Sequence, residues 1–600
     1  MGDAHVRKAD HQFYPSDGVA VARVTRAART VDAITTSYKV METVTEAVKD
    51  ISGCANPDAP MMELGLDSLG AADLSSRMSA VVDQVLAPTL IFDFPSIRQL
   101  SMHLWTLVSD SMASYLPRTL EMGSLSAVNG FGGGSPSKRL ECIENGLGHS
   151  VLPGPRPTLV AGIALTLPGG IASAVDRTLQ REYDSVNEVP AARWEVNAPQ
   201  ASELVRSRIR FGGFVRSAEL FDCLSFRISP AEAMSMDPMQ RLLLEHVNLA
   251  AVGHVPSHAG AAPVGVFVGI SATEFGVLVS NSPLSDSVYA STASSLSVAS
   301  GRISYSLGFQ GPCVSIETAC SGSLVANHGS MRALQSSECI FSITAGVNMM
   351  LLPGSSIGIA VAGMTSARGR CHTFDARADG YARGEACGSV ALRRGGDEGG
   401  VLEFLGSAVR QDGRSASLTA PNGRAQQALL VAALQDAGKS TASLGLNEAH
   451  GTGTALGDPI EAGSLVAAVL ASREEALMVG GVKANIGHAE AAAGMTGLLK
   501  VFVMHADSAS QNAQLRTISP HVDSAVRTAA CTLPVQLSMI TIGSRGVSSF
   551  GYSGTIVHTL VGADGGVCVG DQQKDVMSSN LPTSLSPPLA YRRRAFPWRH

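Results

Sequence analysis

Aromatic residues are scarce in this chain, at 5 % of its 600 positions, so the core it builds must be largely aliphatic. An excess of either charge is missing too. The 45 Lys and Arg against 51 Asp and Glu leave a formal charge of −6, too mild and too evenly spread for a nucleic-acid or polybasic membrane surface. The ten cysteines include no C-x-x-C pair and no dense framework, which argues against secretion and a structural zinc and for reduced thiols. The first eight residues hold no apolar stretch suited to a signal peptide, and Val6 stands where a myristoylation signal needs Ser or Thr. A cytoplasmic location is expected. Arg23, Arg26, Arg29 and Lys39 face only Asp32 over residues 20–40, a bias shared with organelle transit segments, although a solvated lead-in to the first helix explains it more simply. The longest uncharged run, Cys339 to Ala367, is interrupted by Asn348 and Pro353 and reads as buried strand and turn, so no membrane span is expected.

Glycine is plentiful, at 62 residues, and 45 % of the chain is hydrophobic, which suits a large α/β core and more than one domain. After a lead-in over residues 1–32, residues 33–110 are helical and compact, with Val40, Val44, Val48 and Ile51 at spacings of three and four. Residues 111–157 contain the run from Gly130 to Ser137 and little apolar periodicity, which marks a flexible linker. That glycine cluster lacks both G-x-G-x-x-G spacing and a preceding strand, so no nucleotide is expected there. From Thr158 onward, apolar runs such as Leu159–Ile163, Val264–Ile270 and Leu477–Val479 alternate with helical stretches, as in layered α/β proteins.

Residues 313–324 carry the chemistry. Val314 and Ile316 alternate as a strand does, and a run of small residues then leads into a helical pattern with Cys320 at the corner. A thiol at a helix N-terminus faces unsatisfied N–H groups and the positive end of the dipole, which favours the thiolate. Cys320 is therefore a candidate nucleophile, while the other nine cysteines read as small hydrophobes. Further on stand His-Gly-Thr-Gly-Thr from His450 and Lys-Ala-Asn-Ile-Gly-His ending at His488.

Together with Phe211–Phe214, Met236–Glu245, Gly301–Tyr305, Glu448–Glu461 and Gly546–Thr555, these pieces resemble the β-ketoacyl synthase domain of polyketide and fatty acid synthases over residues 158–562. The resemblance implies a thiolase-like fold of two related halves stacked in five α and β layers, and a homodimer. It also implies an acyl group carried on Cys320 as a thioester. The backbone N–H groups of Cys320 and Phe550 would serve as oxyanion donors. His450 and His488 would stabilise the enolate left when a malonyl carrier thioester loses carbon dioxide, and Lys483 would orient the site. No metal is implied. Two departures stand out: Ala-Cys-Ser-Gly-Ser around Cys320, where a second serine is common, and Ile556, which removes an amide expected near the site mouth.

Residues 33–110 resemble an acyl or peptidyl carrier domain, a small four-helix bundle, through Pro60–Leu69 and Pro88–Ile97. In that family the serine after Gly-Leu-Asp receives phosphopantetheine from a phosphopantetheinyl transferase, so that role falls on Ser68. Asp67 and Ser68 also suit a helix N-cap. The tail, residues 563–600, ends in Tyr-Arg-Arg-Arg-Ala-Phe-Pro-Trp at Trp598 and resembles the linker that follows the synthase or acyltransferase in modular polyketide synthases and folds back on the synthase. No acyltransferase or reductase signature is found outside the synthase stretch, so malonyl units are expected from a separate acyltransferase.

Other classes remain to be weighed. Cys320, His450 and Asn485 occur in the order of a papain-like protease, without that family's motif around the cysteine. Gly354–Gly358 matches G-x-S-x-G, with Ser356 as the potential nucleophile of a hydrolase or acyltransferase. Ala437–Ser440 resembles a P-loop only faintly. A non-elongating acyl-docking protein is the third class, disfavoured by the presence of His450.

Overall fold

The computed structural model describes residues 39–113, 157–562 and 593–598, apart from short stretches within them, the longest being 172–183 and 256–262. The lead-in 1–32, the linker glycines 130–137, Asp67 and most of the tail lie outside the described residues. The chain divides into two compact units, Met1–Gly130 and Phe131–His600.

The first unit is helical. Residues 39–52 form one helix, followed by α1 (Ser68–Val82) and α2 (Ile97–Ala113). Each buries residues three or four apart: Val40, Val44 and Val48 on the first, Ala71, Leu74 and Met78 on α1, and Ile97, Leu100 and Leu104 on α2. Those stripes make one small aliphatic core. Ser68 is the first residue of α1, and just before it Leu66 is buried while Gly65 turns with φ +94° on the surface.

The second unit is built on one hydrogen-bonded sheet of twelve strands. Ten of them fall into two sets with the same wiring. The first set is β1 (Thr158–Leu167), β2 (Val264–Gly269), β3 (Cys313–Ile316), β4 (Phe341–Asn348) and β5 (Ala386–Arg394), lying side by side in the order β3-β2-β4-β5-β1. The second is β6 (Glu403–Gln411), β7 (Leu444–Glu448), β8 (Leu477–Gly480), β9 (Ser544–Phe550) and β10 (Thr555–Gly562), in the order β8-β7-β9-β10-β6. In both sets the second strand runs parallel to the third and fourth, whereas the fifth is antiparallel to the fourth and the first. The sets meet where Thr158 and Leu159 of β1 pair with Phe404 and Glu403 of β6.

Helices complete the five layers. The outer helices are α3 (Pro238–Ala251), against β1, β4 and β5, and α5 (Gly423–Asp436), against β6 and β10, with α6 (Gly457–Leu465) beside α5. Between the two sets lie α4 (Gly322–Gln335) and α7 (Ala493–Val503), each touching strands of both. Covering the central strands on both faces explains their continuous apolar runs: every residue of β2 and β8 is buried. Gly269 shows how closely α4 approaches, since a Cβ there would sit 2.3 Å from the Ser323 backbone. That contact fixes the start of α4, and with it Cys320, against the end of β2.

The uncharged run from Cys339 to Ala367 becomes β4, a turn and the helix Pro353–Val361. No helix among the described residues is long and apolar enough to cross a membrane. Residues 505–545, where the resemblance weakens, add the short strand Cys531–Thr532 beside β8. Ile556 requires a correction. It is fully buried in the apolar cluster with Leu429, Leu430 and Leu560, facing α5, so its side chain belongs to the core and not to a site mouth.

The end of the tail folds back on this unit. Arg594 and Ala595 pair antiparallel with Phe221 and Leu220, and Phe596 is buried against Phe221.

Candidate active site

Both middle helices are preceded by loops that bring the candidate residues together. The β3–α4 turn delivers Cys320, with Ala319 just before it at φ 52°, a strained value for a residue with a Cβ. The β8–α7 connection delivers Lys483 and His488, and the loop after β7 delivers His450. His488 Nε2 lies 3.0 Å from Cys320 Sγ, and the His450 and His488 rings stand nearly perpendicular with centroids 5.5 Å apart. Residues separated by 130 and 168 positions thus form one cluster, in which Cys320 and His488 are buried and His450 is partly exposed.

The backbone decides which nitrogen of each imidazole carries the proton. The Glu490 N–H donates to His488 Nδ1 at 3.3 Å, and the Phe550 N–H donates to His450 Nδ1 at 3.2 Å. Each neutral ring therefore keeps its proton on Nε2 and presents an N–H donor to the site. Burial, reinforced by the Lys483 charge, holds both histidines well below the usual imidazole pKa, so both are neutral near pH 7. The N–H of Phe550, expected to face an oxyanion, makes its hydrogen bond here to His450.

The thiolate expected from the helix N-terminus is not the resting state. Burial pushes the Cys320 thiol up to about 12, with Glu490 adding to the rise. Lys483 and the backbone N–H groups of Tyr552 and Cys320 itself oppose that rise without cancelling it. Desolvating the anion outweighs the dipole because α4 starts two residues later and Cys320 is buried.

The histidine loop is held by carboxylates whose roles the sequence does not disclose, although the motif Glu448–Glu461 contains them. Glu461 accepts the N–H groups of His450 and Gly451, at 2.7 and 2.8 Å. Asp458 accepts those of Gly453 and Phe374, at 3.0 and 2.7 Å. Glu448 accepts the Val482 N–H and forms a buried ion pair with Lys500 of α7. Lys483 is buried and interacts electrostatically with Glu448, Glu461 and the Cys320 sulfur. On the other side, the strand Arg383–Gly384 clamps His488, whose N–H donates to the Ala382 carbonyl and whose carbonyl accepts the Gly384 N–H. The Arg383 guanidinium pairs with both oxygens of Glu490 and donates to Ser356 Oγ. Ser549 Oγ donates to the Cys320 carbonyl at 2.7 Å.

The rival constellations do not assemble. Ser356 sits inside the helix Pro353–Val361, not on a strand-to-helix elbow, and its hydroxyl is held by Arg383 instead of a histidine. The Asn485 amide has no hydrogen-bond partner among the described residues, and His450 Nδ1 takes its hydrogen bond from Phe550, so no cysteine–histidine–asparagine triad forms. Residues 437–440 follow the C-terminus of α5, the wrong end of a helix for phosphate. No cluster of metal-ligating residues occurs among the described residues.

Comparison with known proteins identifies the domains of the chain. Residues 156–398 match the N-terminal domain of β-ketoacyl synthases, residues 401–513 match their C-terminal domain, and residues 42–104 match a phosphopantetheine attachment site. The chain is 34 % identical over 526 residues to a component of the phenolphthiocerol/phthiocerol polyketide synthase of Mycobacterium tuberculosis, covering 84 % of this chain and 26 % of that protein. It is 35 % identical over 551 residues to erythronolide synthase EryA2 of Saccharopolyspora erythraea, covering 87 % and 14 %. It therefore spans about a quarter or less of these relatives' length. Among solved structures, an oxazolomycin ketosynthase domain of Streptomyces albus superposes with a TM-score of 0.64 at 31 % identity, covering 68 % of this chain and 75 % of that one. By these matches the chain belongs to the β-ketoacyl synthase family and carries a phosphopantetheine attachment domain ahead of the synthase.

Proposed function

We propose that this chain is a polyketide synthase component that joins an acyl group on Cys320 to a malonyl unit by decarboxylative Claisen condensation. The observation that carries the reading is the pair of Nε2–H donors, His450 and His488, fixed by backbone N–H groups and converging beside the Cys320 sulfur. In the first half, Cys320 exchanges with an incoming acyl thioester: the new carbon–sulfur bond forms, the carrier sulfur leaves, and the thiol proton goes to that leaving group. In the second half, a malonyl thioester loses carbon dioxide. The two imidazole N–H groups stabilise the enolate oxygen while its carbon attacks the Cys320 thioester. The cysteine sulfur departs and takes up one proton.

Neutral imidazoles suit this task. An imidazolium would tend to protonate the enolate and waste the carbanion, whereas a neutral N–H stabilises the oxygen without giving its proton away. The N–H groups of Cys320 and Phe550 would serve the oxyanion of the acyl-transfer half, with Phe550 shifting from His450 to the substrate. Lys483 would hold the electrostatics of the site.

Ser68 fits the phosphopantetheine it is proposed to carry, because it opens α1 beside the exposed Gly65 turn. The group would supply a thiol on a long arm. We further propose that the synthase is a homodimer, supported by β3 lying at the edge of the sheet, unpaired on its outer side among the described residues, with Cys313 and Val314 exposed. Malonyl units would come from a separate acyltransferase, supported by the engagement of Ser356 with Arg383. The protein would act in the cytoplasm.

The test is intact-mass analysis after treatment with a phosphopantetheinyl transferase and coenzyme A, then an acyl thioester, then a malonyl carrier. An acyl adduct on Cys320 followed by a β-ketoacyl product is expected. Loading without extension would leave only an acyl-docking role.

A further inference from the structure

The end of the tail supplies partners for three charged residues that lie inside the synthase unit. Arg593 pairs with Glu245 at 2.9 Å, and the Phe596 carbonyl accepts a hydrogen bond from Arg241 at 3.0 Å. Glu245 and Arg241 are one turn apart on α3, and both are buried. Trp598 lies over the third, with its ring centroid 4.7 Å from the Arg193 guanidinium carbon. Phe596 anchors the segment: its N–H donates to the Glu219 carbonyl and its ring enters the core.

Arg193 leads toward the reacting groups. Its guanidinium binds both oxygens of Glu385, at 3.1 and 2.9 Å. Glu385 is fully buried and also accepts the backbone N–H groups of Val215 and Met350, so one carboxylate joins three separate loops. It directly follows the strand Arg383–Gly384 that grips the backbone of His488 on both sides. The ring of Trp598 thus restrains the guanidinium that restrains Glu385, and Glu385 restrains the strand that sets His488.

We propose that residues 593–598 are a positioning strap, in which Trp598, through Arg193 and Glu385, holds His488 in register with Cys320. Trp598 touches no reacting atom. Its effect is on the step that needs His488 aimed, so condensation depends on it and formation of the acyl-cysteine does not. This part rests on the condensation reading, but the restraint on the His488 backbone does not.

Two measurements on the full chain separate those parts, using Trp598→Ala and Trp598→Phe. Hydrogen exchange of peptides covering 382–385 and 483–490 reads the clamp directly. At least about threefold faster exchange is expected in the alanine variant, with wild-type rates in the phenylalanine variant, which keeps a ring over Arg193. Extension should fall by a similar factor in Trp598→Ala while acyl loading and the melting temperature stay at wild-type values. Unchanged exchange in Trp598→Ala would overturn the proposal, whatever the chain does to substrates. So would a parallel loss of melting temperature, loading and extension in both variants, which would mark Trp598 as a general structural contact. A wild-type chain that does not extend acyl groups would instead count against the condensation reading, and the exchange data would still decide the strap.

Discussion

Glu461 holds His450 by its backbone, with one carboxylate oxygen on the N–H of His450 at 2.7 Å and the other on that of Gly451 at 2.8 Å. Gly451 takes φ +44°, so the chain turns sharply just after the histidine and would otherwise leave two buried donors unpaired. Glu461→Ala is expected to destabilise the synthase by about 2 kcal/mol or more and to reduce extension more than loading, because Cys320 stands on a different loop. Glu461→Gln keeps one acceptor and should fall between. Urea unfolding beside single-turnover loading and extension measures both effects.

The buried pair of Lys500 and Glu448 ties α7 to the end of β7, just before the histidine loop. Lys500→Met strands a carboxylate in the core and should cost about 3–5 kcal/mol. Adding Glu448→Gln removes that charge and should recover part of the loss. Equal destabilisation in the single and double variants, read from denaturant midpoints, would show that the pair is not coupled.

Alkylation of Cys320 by iodoacetamide is expected to be slow at pH 8 and to rise about tenfold per pH unit through pH 10, since only the thiolate reacts. The sign follows from burial, which raises the thiol to about 12 and leaves the protonated form dominant throughout that range. Peptide mass analysis of the modified cysteine gives the profile. A plateau below pH 9 would mean that the helix end and Lys483 outweigh desolvation.

Much of the site is legible in the sequence because its chemistry sits in short local motifs: a cysteine after a strand and before a run of small residues, and two histidines beside glycines. The protonation state of Cys320 is not legible there, since it depends on how completely other loops enclose the sulfur. The place of Ile556 is hidden for the same reason: β-strand alternation does not say which face meets α5 and which meets the site. The repeated wiring of the two halves leaves no periodic trace, because the connections between corresponding strands differ in length. Arg241 and Glu245 look like ordinary motif charges, and Arg193 like any loop arginine, until the tail, more than 340 residues later, is seen lying on them.

Ser68→Ala should abolish attachment of phosphopantetheine by a transferase and coenzyme A, with the label in the wild type mapping to the peptide at the start of α1. The helical core should be unaffected, since Leu74, Met78 and Leu104 supply it. Equal labelling of both proteins would move the attachment elsewhere.

The division of labour among the three central residues gives the sharpest expectation. Cys320→Ala removes the sulfur that forms the thioester, so loading and extension should both disappear. His450→Ala and His488→Ala leave that sulfur in place but each removes one of the two Nε2–H donors that meet the enolate oxygen. Loss of one such donor should slow extension about 100-fold or more while loading persists. Single-turnover acylation with a radiolabelled acyl thioester, followed by addition of a malonyl carrier, separates the two steps. Wild-type extension by the His488 variant would show that the imidazole beside the cysteine serves only the thiol, and would leave His450 alone to stabilise the enolate.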